Sequence, residues 1–484
     1  MMTLALWIPA GLALLAAVSG LLHPGRHQVW LIRIAIAYLA ALLVTQGLNL
    51  WHPADALAAW FFVTVAVFSI FGLWYSVPYL TREAAAHGWP EGRVQTYYSL
   101  FFLFVAALTA VALWTNFFWL WLAIEAATLT SVVLVGVPQT GTALEAAWKY
   151  VLVTEAGGFM ALVGTVMALT AVHYPLFAWG WQPIRETSMT YPWALIGSYM
   201  ALAGYGAKAG LVPFHTWLPD AHSEAPAPVS GLLSGLKLAG ALVIVYRLFA
   251  TVGRVVPVDY LHDALIALGL ASLLLAAAFL VFQHDLKRLF AYSSIEHIGL
   301  ISLGMGFGGI ALVGAALHIW THAASKTLLF HNAGTVRLLY HTSSHREGAR
   351  GILQRTPWTG ALLALGSAAI VGLPPLAPFW SEWLILAGGF HVGADRPFAV
   401  IAAGLLVAIF VAIARSIPRW LFTPGRRDQP PEAAIAEPSA LIVPGLVLAL
   451  VVVGGGIAMP FAAHPLWNQL VHQLALAGTH RRIW

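Results

Sequence analysis

The 484-residue sequence contains no cysteine. That absence excludes disulfides, thiolate nucleophiles, cysteine-ligated iron–sulfur clusters and covalently attached c-type haem. Walker-type and dinucleotide-binding glycine motifs are missing as well. The chain is therefore expected to hold no cofactor or metal and no catalytic residue, so any electron carrier or nucleotide would sit on a partner. Charge is scarce too: 9% of the residues are charged, against about 25% in soluble domains. Lysine is scarcest, with five in the chain, and arginine serves the loops. The net charge of +5 traces to those loop arginines and reads as topology, not as a nucleic-acid surface.

What is abundant is apolar: 60% of the residues are hydrophobic. Residues 56–75, 264–282 and 441–459 each form a run longer than the ~18 apolar residues that suggest a bilayer-spanning helix. The short alternating segments of a β-barrel are not seen. These runs predict an all-α polytopic membrane protein. Splitting them at charged, Pro and Gly punctuation gives about fourteen helices. They fall at 3–22, 28–49, 57–80, 96–114, 116–137, 143–172, 191–211, 226–250, 260–283, 289–307, 310–340, 359–389, 397–420 and 439–461. No basic residue precedes the apolar run 4–22, which is longer than a signal core, so it reads as the first spanning helix and not a cleaved leader.

Loop charges test this arrangement. Alternate loops collect Arg26, Arg33, Arg82, Arg93, Lys287, Arg288, Arg346, Arg350, Arg355, Arg415, Arg419, Arg426 and Arg427. The opposite side has little beyond Arg185, Arg254, Arg396, Arg481 and Arg482. By the positive-inside rule both termini lie outside the cytoplasm of a prokaryotic inner membrane. There is also an internal echo. The segment from Ala146 to Leu152 resembles that from Ala323 to Leu329, and the segment from Val212 to Trp217 resembles that from Ala377 to Trp383. Both pairs fall in the same order, with five helices between their members. Two inverted five-helix repeats, each with a Pro-interrupted helix, are the expectation. The division is 1–95 (helices one to three), 96–250 (first repeat), 251–420 (second repeat) and 421–484 (linker, last helix and tail). The breaks fall at 210–213 and 372–378.

Four of the five lysines, Lys149, Lys208, Lys237 and Lys326, lie inside predicted spans. A charged lysine at a bilayer centre costs roughly 2.5–3.5 kcal/mol on insertion scales. Lysine can release its proton in a buried site and arginine cannot. The embedded acids are as few: Glu125, Glu145, Glu155, Glu296 and Glu382. A relay would alternate Glu125, Lys208, Lys237, Lys326, Glu382. A Glu–Lys pair at ~8 Å interacts by about 2 kcal/mol at an effective dielectric of 20, so weakening one pair can push a proton onward. Blander readings stand beside this one. Glu145 and Lys149, four apart, pair with each other. Lys287, after Asp285 at a helix start, is a topology or interface charge. Lys208 precedes a break, where its ammonium can simply bind exposed carbonyls.

Histidines form a second layer. His318, His322 and Lys326 recur at intervals of four and share a helical face. The spacing of His318 and His322 is that of a zinc pair, but the glutamate of a metalloprotease helix is missing. Imidazoles bridging proton transfer are the preferred reading. Glu296 and His297, beside Ser293 and Ser294, either extend the same polar axis or form a structural cluster. His215, His222 and Glu224 surround the first break as an access or connecting path.

The stretch from Gly206 to Ser230, with Lys208, Pro213, Trp217, Pro219, Asp220 and Pro228, resembles the signature of the antiporter-like, proton-pumping subunits of respiratory complex I and their relatives. The segments Asp285–Ser294, His318–Lys326 and Gly372–Pro375 agree in order. The resemblance covers roughly residues 60–420 and implies fourteen helices in two inverted repeats. It carries roles to Glu125 as partner of Lys208, to Lys237, to Lys326, and to Glu382 at the twelfth-helix site. The wording around Trp121–Glu125 and Trp380–Glu382 is similar to component F of hydrogenase-4 and membrane-bound hydrogenase subunits. The long lateral helix of the distal complex I pump is not expected after the fourteenth span. The resemblance implies a proton-translocating subunit of a larger oxidoreductase, its partners being other subunits, lipid and protons. Alternatives are a proton/cation antiporter subunit and a proton-conducting partner of a zinc protein in inorganic-carbon uptake.

Overall fold

A computed structural model of the chain describes residues 56–173, 191–253, 256–423 and 435–459. The predicted spans 3–22 and 28–49 lie outside the described residues. So do Arg26, Arg33, Arg185, Arg254, Arg426, Arg427, Arg481 and Arg482 of the charge asymmetry. Among the described residues the regular structure is helical throughout, with no strand. Eight helices there are long and apolar enough to cross a membrane, and the chain is a polytopic membrane protein.

Three more helices are long enough but too polar for that criterion: Tyr191–Ala209, which carries Lys208, and the pair Leu286–Phe307 and Gly309–Tyr340, which carry Lys326, Glu296, His297, His318 and His322. Of that pair, the first is the more enclosed, with almost every side chain buried. Their polar groups therefore face other helices and not lipid, the arrangement that intramembrane charge requires. With them at the centre runs Ala227–Leu232, which continues through a π-turn at Leu233–Lys237 into Leu238–Val252. The helix Arg396–Ser416 lies at the edge and turns Val400, Ile401 and Val407 outward. Polar groups inside and apolar groups outside is the order a lipid solvent imposes.

The helices Gly141–Ala171 and Tyr191–Ala209 pack with backbones in contact. A Cβ at Gly204 would lie 2.3 Å from the Ala161 nitrogen, and one at Gly164 would lie 2.3 Å from that of Ala201. Small residues let spanning helices approach this closely. The approach brings the last turn of the second helix, with Lys208, against the middle of the first.

Both breaks close in the same way. At the first, Leu211 N–H donates to Gly206 O (2.9 Å) and Gly210 N–H to Ala207 O (3.3 Å). At the second, Leu373 N–H donates to Ala368 O (3.1 Å) and Gly372 N–H to Ala369 O (3.0 Å). This is the Schellman arrangement, in which the residue after the helix adopts a left-handed conformation. Gly210 (φ 76°) and Gly372 (φ 67°) supply it. The first interruption runs over 210–217 before a short helix, Leu218–Glu224, that the sequence reading did not anticipate. The second separates Pro357–Ile370 from Ala377–His391.

Arg247, passed over in the sequence reading, is fully buried. Its guanidinium donates to Val111 O (3.0 Å), Ala112 O (3.0 Å) and Trp114 O (3.1 Å). These are carbonyls at the end of Glu91–Leu113, so the arginine caps a helix.

Candidate functional site

Glu125 lies in the helix Phe117–Gly136, whose start Asn116 caps by accepting from the Phe118 and Trp119 amides. Lys208 lies one residue before the end of Tyr191–Ala209. The Lys208 ammonium donates to Glu125 Oε2 at 2.7 Å and to Thr128 Oγ1 at 3.4 Å. Lys208 is wholly buried and Glu125 nearly so. A second carboxylate, Glu155, stands 3.8 Å from the same ammonium. The sequence reading named Glu155 among the embedded acids but left it out of the relay. Room for the pair comes from Gly158: a Cβ there would lie 2.1 Å from Glu125 Oε1 and 3.0 Å from Lys208 Cε.

Lys237 meets Lys208 through backbone. Its ammonium donates to Lys208 O at 2.8 Å, a carbonyl that the Schellman closure leaves without a helical partner. It also lies 4.6 Å from the Trp217 ring centre and 5.1 Å from that of Tyr150, whose π faces favour a cation. The sequence reading allowed the Lys208 ammonium to bind carbonyls freed at the break. In the fold the Lys237 ammonium does so, and the Lys208 ammonium takes carboxylates.

One turn before Lys237, Ser234 hydrogen-bonds Ser294 (2.7 Å), and Ser294 donates to Phe290 O (2.8 Å). The same carbonyl accepts from Lys326 Nζ at 2.7 Å, and Lys326 also bonds Ser293. Two serines and one carbonyl thus join the helix of Lys237 to Lys326. The serine hydroxyls both donate and accept, whereas the Phe290 carbonyl only accepts, so this contact links the two helices electrostatically.

Histidines of Leu286–Phe307 and Gly309–Tyr340 meet one another. His297 Nδ1 and His318 Nε2 are 2.8 Å apart, and His318 Nδ1 is 2.8 Å from Ser381 Oγ. The His322 ring stacks 5.2 Å from that of His297. Glu296 Oε2 lies 3.9 Å from His297 Nε2. Glu382 follows Ser381 in the second half of the broken helix, and its carboxylate fills the space beside Gly372, where a Cβ would lie 2.2 Å from Oε2. Ligand atoms of His297, His318 and Glu382 lie within 4.8 Å of one another.

His222 is buried, 5.4 Å from the Phe330 ring and 6.4 Å from that of Trp217. His215 is half-buried in the first break, and no hydrogen bond or ion pair among the described residues joins its side chain to the lysines. Lys149 pairs with Glu145 at 2.7 Å, as the spacing of four suggests, and also with Asp220 at 3.1 Å; Asp220 in turn takes Arg288. Lys287 departs from its expected place at a surface. It is buried, and its ammonium donates to Ser223 O (2.7 Å) and to Ala225 O. Lys287 therefore caps the short helix Leu218–Glu224.

Residues 114–410 match the family described as NADH:quinone oxidoreductase/Mrp antiporter, transmembrane. The chain belongs to that family. The chain is similar to a hydrogenase-4 component F homolog of Methylacidiphilum infernorum, 34% identical over 352 residues, with 71% of this chain and 73% of that protein covered. NADH-quinone oxidoreductase subunit N of Desulforudis audaxviator is 31% identical over 82% of this chain and 80% of its own length. Hydrogenase-4 component B of Escherichia coli is 29% identical, and 58% of its length is matched. Among solved structures, a chain of an archaeal membrane-bound sulfane sulfur reductase superimposes with a TM-score of 0.84 at 22% identity, covering 98% of this chain and 97% of that one. A chain of respiratory complex I from Thermus thermophilus gives 0.72 at 21% identity, covering 94% and 98%. At those identities the likeness is one of fold. This antiporter-like family fold presents the buried lysines and glutamates on facing helices.

Proposed function

We propose that the chain is the proton-translocating membrane subunit of a complex I-like or hydrogenase-4-like oxidoreductase. It passes protons along Glu125, Lys208, Lys237, Lys326 and Glu382, with His297 and His318 bridging the last step. The observation that carries this reading is the buried 2.7 Å pair of Lys208 and Glu125, with Lys237 one carbonyl away. Two cations so close repel, so a charge moved at Glu125 or Glu155 is felt at Lys237 and, through the serines, at Lys326. The driving change comes from partner subunits that hold the redox centres. Two inverted repeats, 96–250 and 251–420, would each contribute one broken helix. The membrane would be the inner membrane of a prokaryote, with both termini on its outer side.

The family name also covers cation antiporters. A lysine ammonium donates hydrogen bonds but has no lone pair with which to ligate a metal cation. An axis with three buried lysines repels sodium, which favours protons as the ion carried.

The test is coupled proton flux in proteoliposomes of the purified complex, with Lys326→Ala beside wild type. Alanine removes the group that joins the serine bridge to the histidines, and flux is expected to fall about tenfold or more, equivalent to 1.4 kcal/mol in a barrier. Undiminished flux in an assembled Lys326→Ala complex would sink the relay.

A further inference from the structure

The cluster of His297, His318 and Glu382 has a geometry that a proton path alone does not require. Two imidazole nitrogens point at each other at 2.8 Å, with a carboxylate oxygen in the same small volume. His318 is oriented from behind, because its Nδ1 engages Ser381 Oγ at 2.8 Å. His297 Nε2 faces Glu296 Oε2 at 3.9 Å and makes no hydrogen bond among the described residues. A metal-binding histidine is held as His318 is, one nitrogen fixed by an oxygen partner and the other aimed at the ion. Glu382 Oε1 is buried and makes no hydrogen bond among the described residues.

We propose that His297, His318 and Glu382 bind one divalent ion of the Zn²⁺ class. The ion takes the place of the hydrogen shared by His297 Nδ1 and His318 Nε2. Imidazole nitrogen and carboxylate oxygen are the ligand set that Zn²⁺ accepts, at about 2.0–2.2 Å from each atom. Tetrahedral ligand atoms at those bond lengths lie roughly 3.3–3.6 Å apart, so the two nitrogens separate from 2.8 Å by about 0.5–0.8 Å, and a pair as far apart as 4.8 Å closes by up to about 1.5 Å. Three protein ligands leave a fourth position open. Charge favours the ion: Glu296, whose Oε2 lies 3.9 Å from His297 Nε2, adds a second carboxylate against the Lys326 ammonium. The consequence for transport rests on the relay proposed above, since an ion on these nitrogens displaces the proton they would pass.

The full-length chain, purified in detergent and stripped with chelator, is titrated with radioactive zinc chloride, and retained zinc is counted after desalting. Wild type is expected to retain one more equivalent per chain than His318→Ala or Glu382→Gln, whose affinity falls at least about tenfold. X-ray absorption of the wild-type sample is expected to show two imidazoles on the zinc. His331→Ala, a buried histidine of the same helix stacked on Tyr75, is expected to retain zinc as wild type does. His318→Gln repeats the test in a side chain closer in shape. Equal retention by wild type and all ligand variants, or none by wild type, would overturn the site. Proton flux of the reconstituted complex is measured with and without zinc in parallel. Zinc bound at these ligands with flux unchanged keeps the site and contradicts the relay.

Discussion

Leucine at position 158 takes Glu125 off Lys208 without removing a single charge. A Cβ on Gly158 would already lie 2.1 Å from Glu125 Oε1, 2.9 Å from its Cδ and 3.0 Å from Lys208 Cε. A leucine adds three further carbons in the same direction. The backbone there has no freedom to retreat, because Gly157, the next residue, lies where a Cβ would meet Ala207 Cβ at 2.6 Å and Gly204 O at 3.0 Å. The carboxylate is the movable group, and it must rotate out of hydrogen-bond reach. At twice the separation, Coulomb attraction falls by half even before water enters. Coupled proton flux in proteoliposomes is expected to drop about tenfold or more with the complex still assembled. Gly404→Leu, at a position with open space around it, is expected to keep wild-type flux. Full flux in Gly158→Leu would mean that the pair is not needed.

Arginine at position 237 is expected to be as inactive as alanine. Lys237 sits on the Lys208 carbonyl and against Trp217 and Tyr150, contacts that any buried cation satisfies. If the role were only to cap the broken helix, arginine would serve, since it donates five hydrogen bonds and stacks well on aromatic rings. A relay asks for more: the group must give up its proton, and guanidinium holds its own at every physiological pH. Assembly of Lys237→Arg, read by size-exclusion chromatography, is expected to match wild type. Flux in the same sample is expected to fall about tenfold or more. Retained flux would assign Lys237 to structure.

Much of this was legible because the sequence is spare. With five lysines in the chain, each intramembrane one stood out, and the Gly–Pro punctuation at Gly210 and Gly372 located both breaks. What could not be read is which helix lies opposite which. Glu145 and Glu155 occupy one helix, ten residues apart, yet one pairs with Lys149 near the helix start and the other approaches Lys208. Nothing in the local pattern separates them. Leu286–Phe307 is buried on nearly all sides, so it has no apolar face whose period would reveal that Ser294 meets Ser234. Gly158 looked like any glycine of a spanning helix, since its role is a space that another helix fills. Lys287 reads in the sequence as a topology or interface charge because charged residues near span ends usually are, and Arg247 draws no reading there. Here tertiary packing buries both against helix-end carbonyls. The π-turn at Leu233–Lys237 also packs closely, with Gly235 where a Cβ would be 3.0 Å from Ala323 Cα.

The central claim is that Glu125 and Lys208 act as one proton-handling unit. The most direct test is coupled proton flux in proteoliposomes carrying Glu125→Gln, Lys208→Met and the double variant, with assembly checked in each. Residues that work as a pair give non-additive losses. Each single variant is predicted to lose about tenfold or more in flux, and the double to lose no more than the worse single. Wild-type flux in either single variant, or losses that multiply in the double, would contradict it.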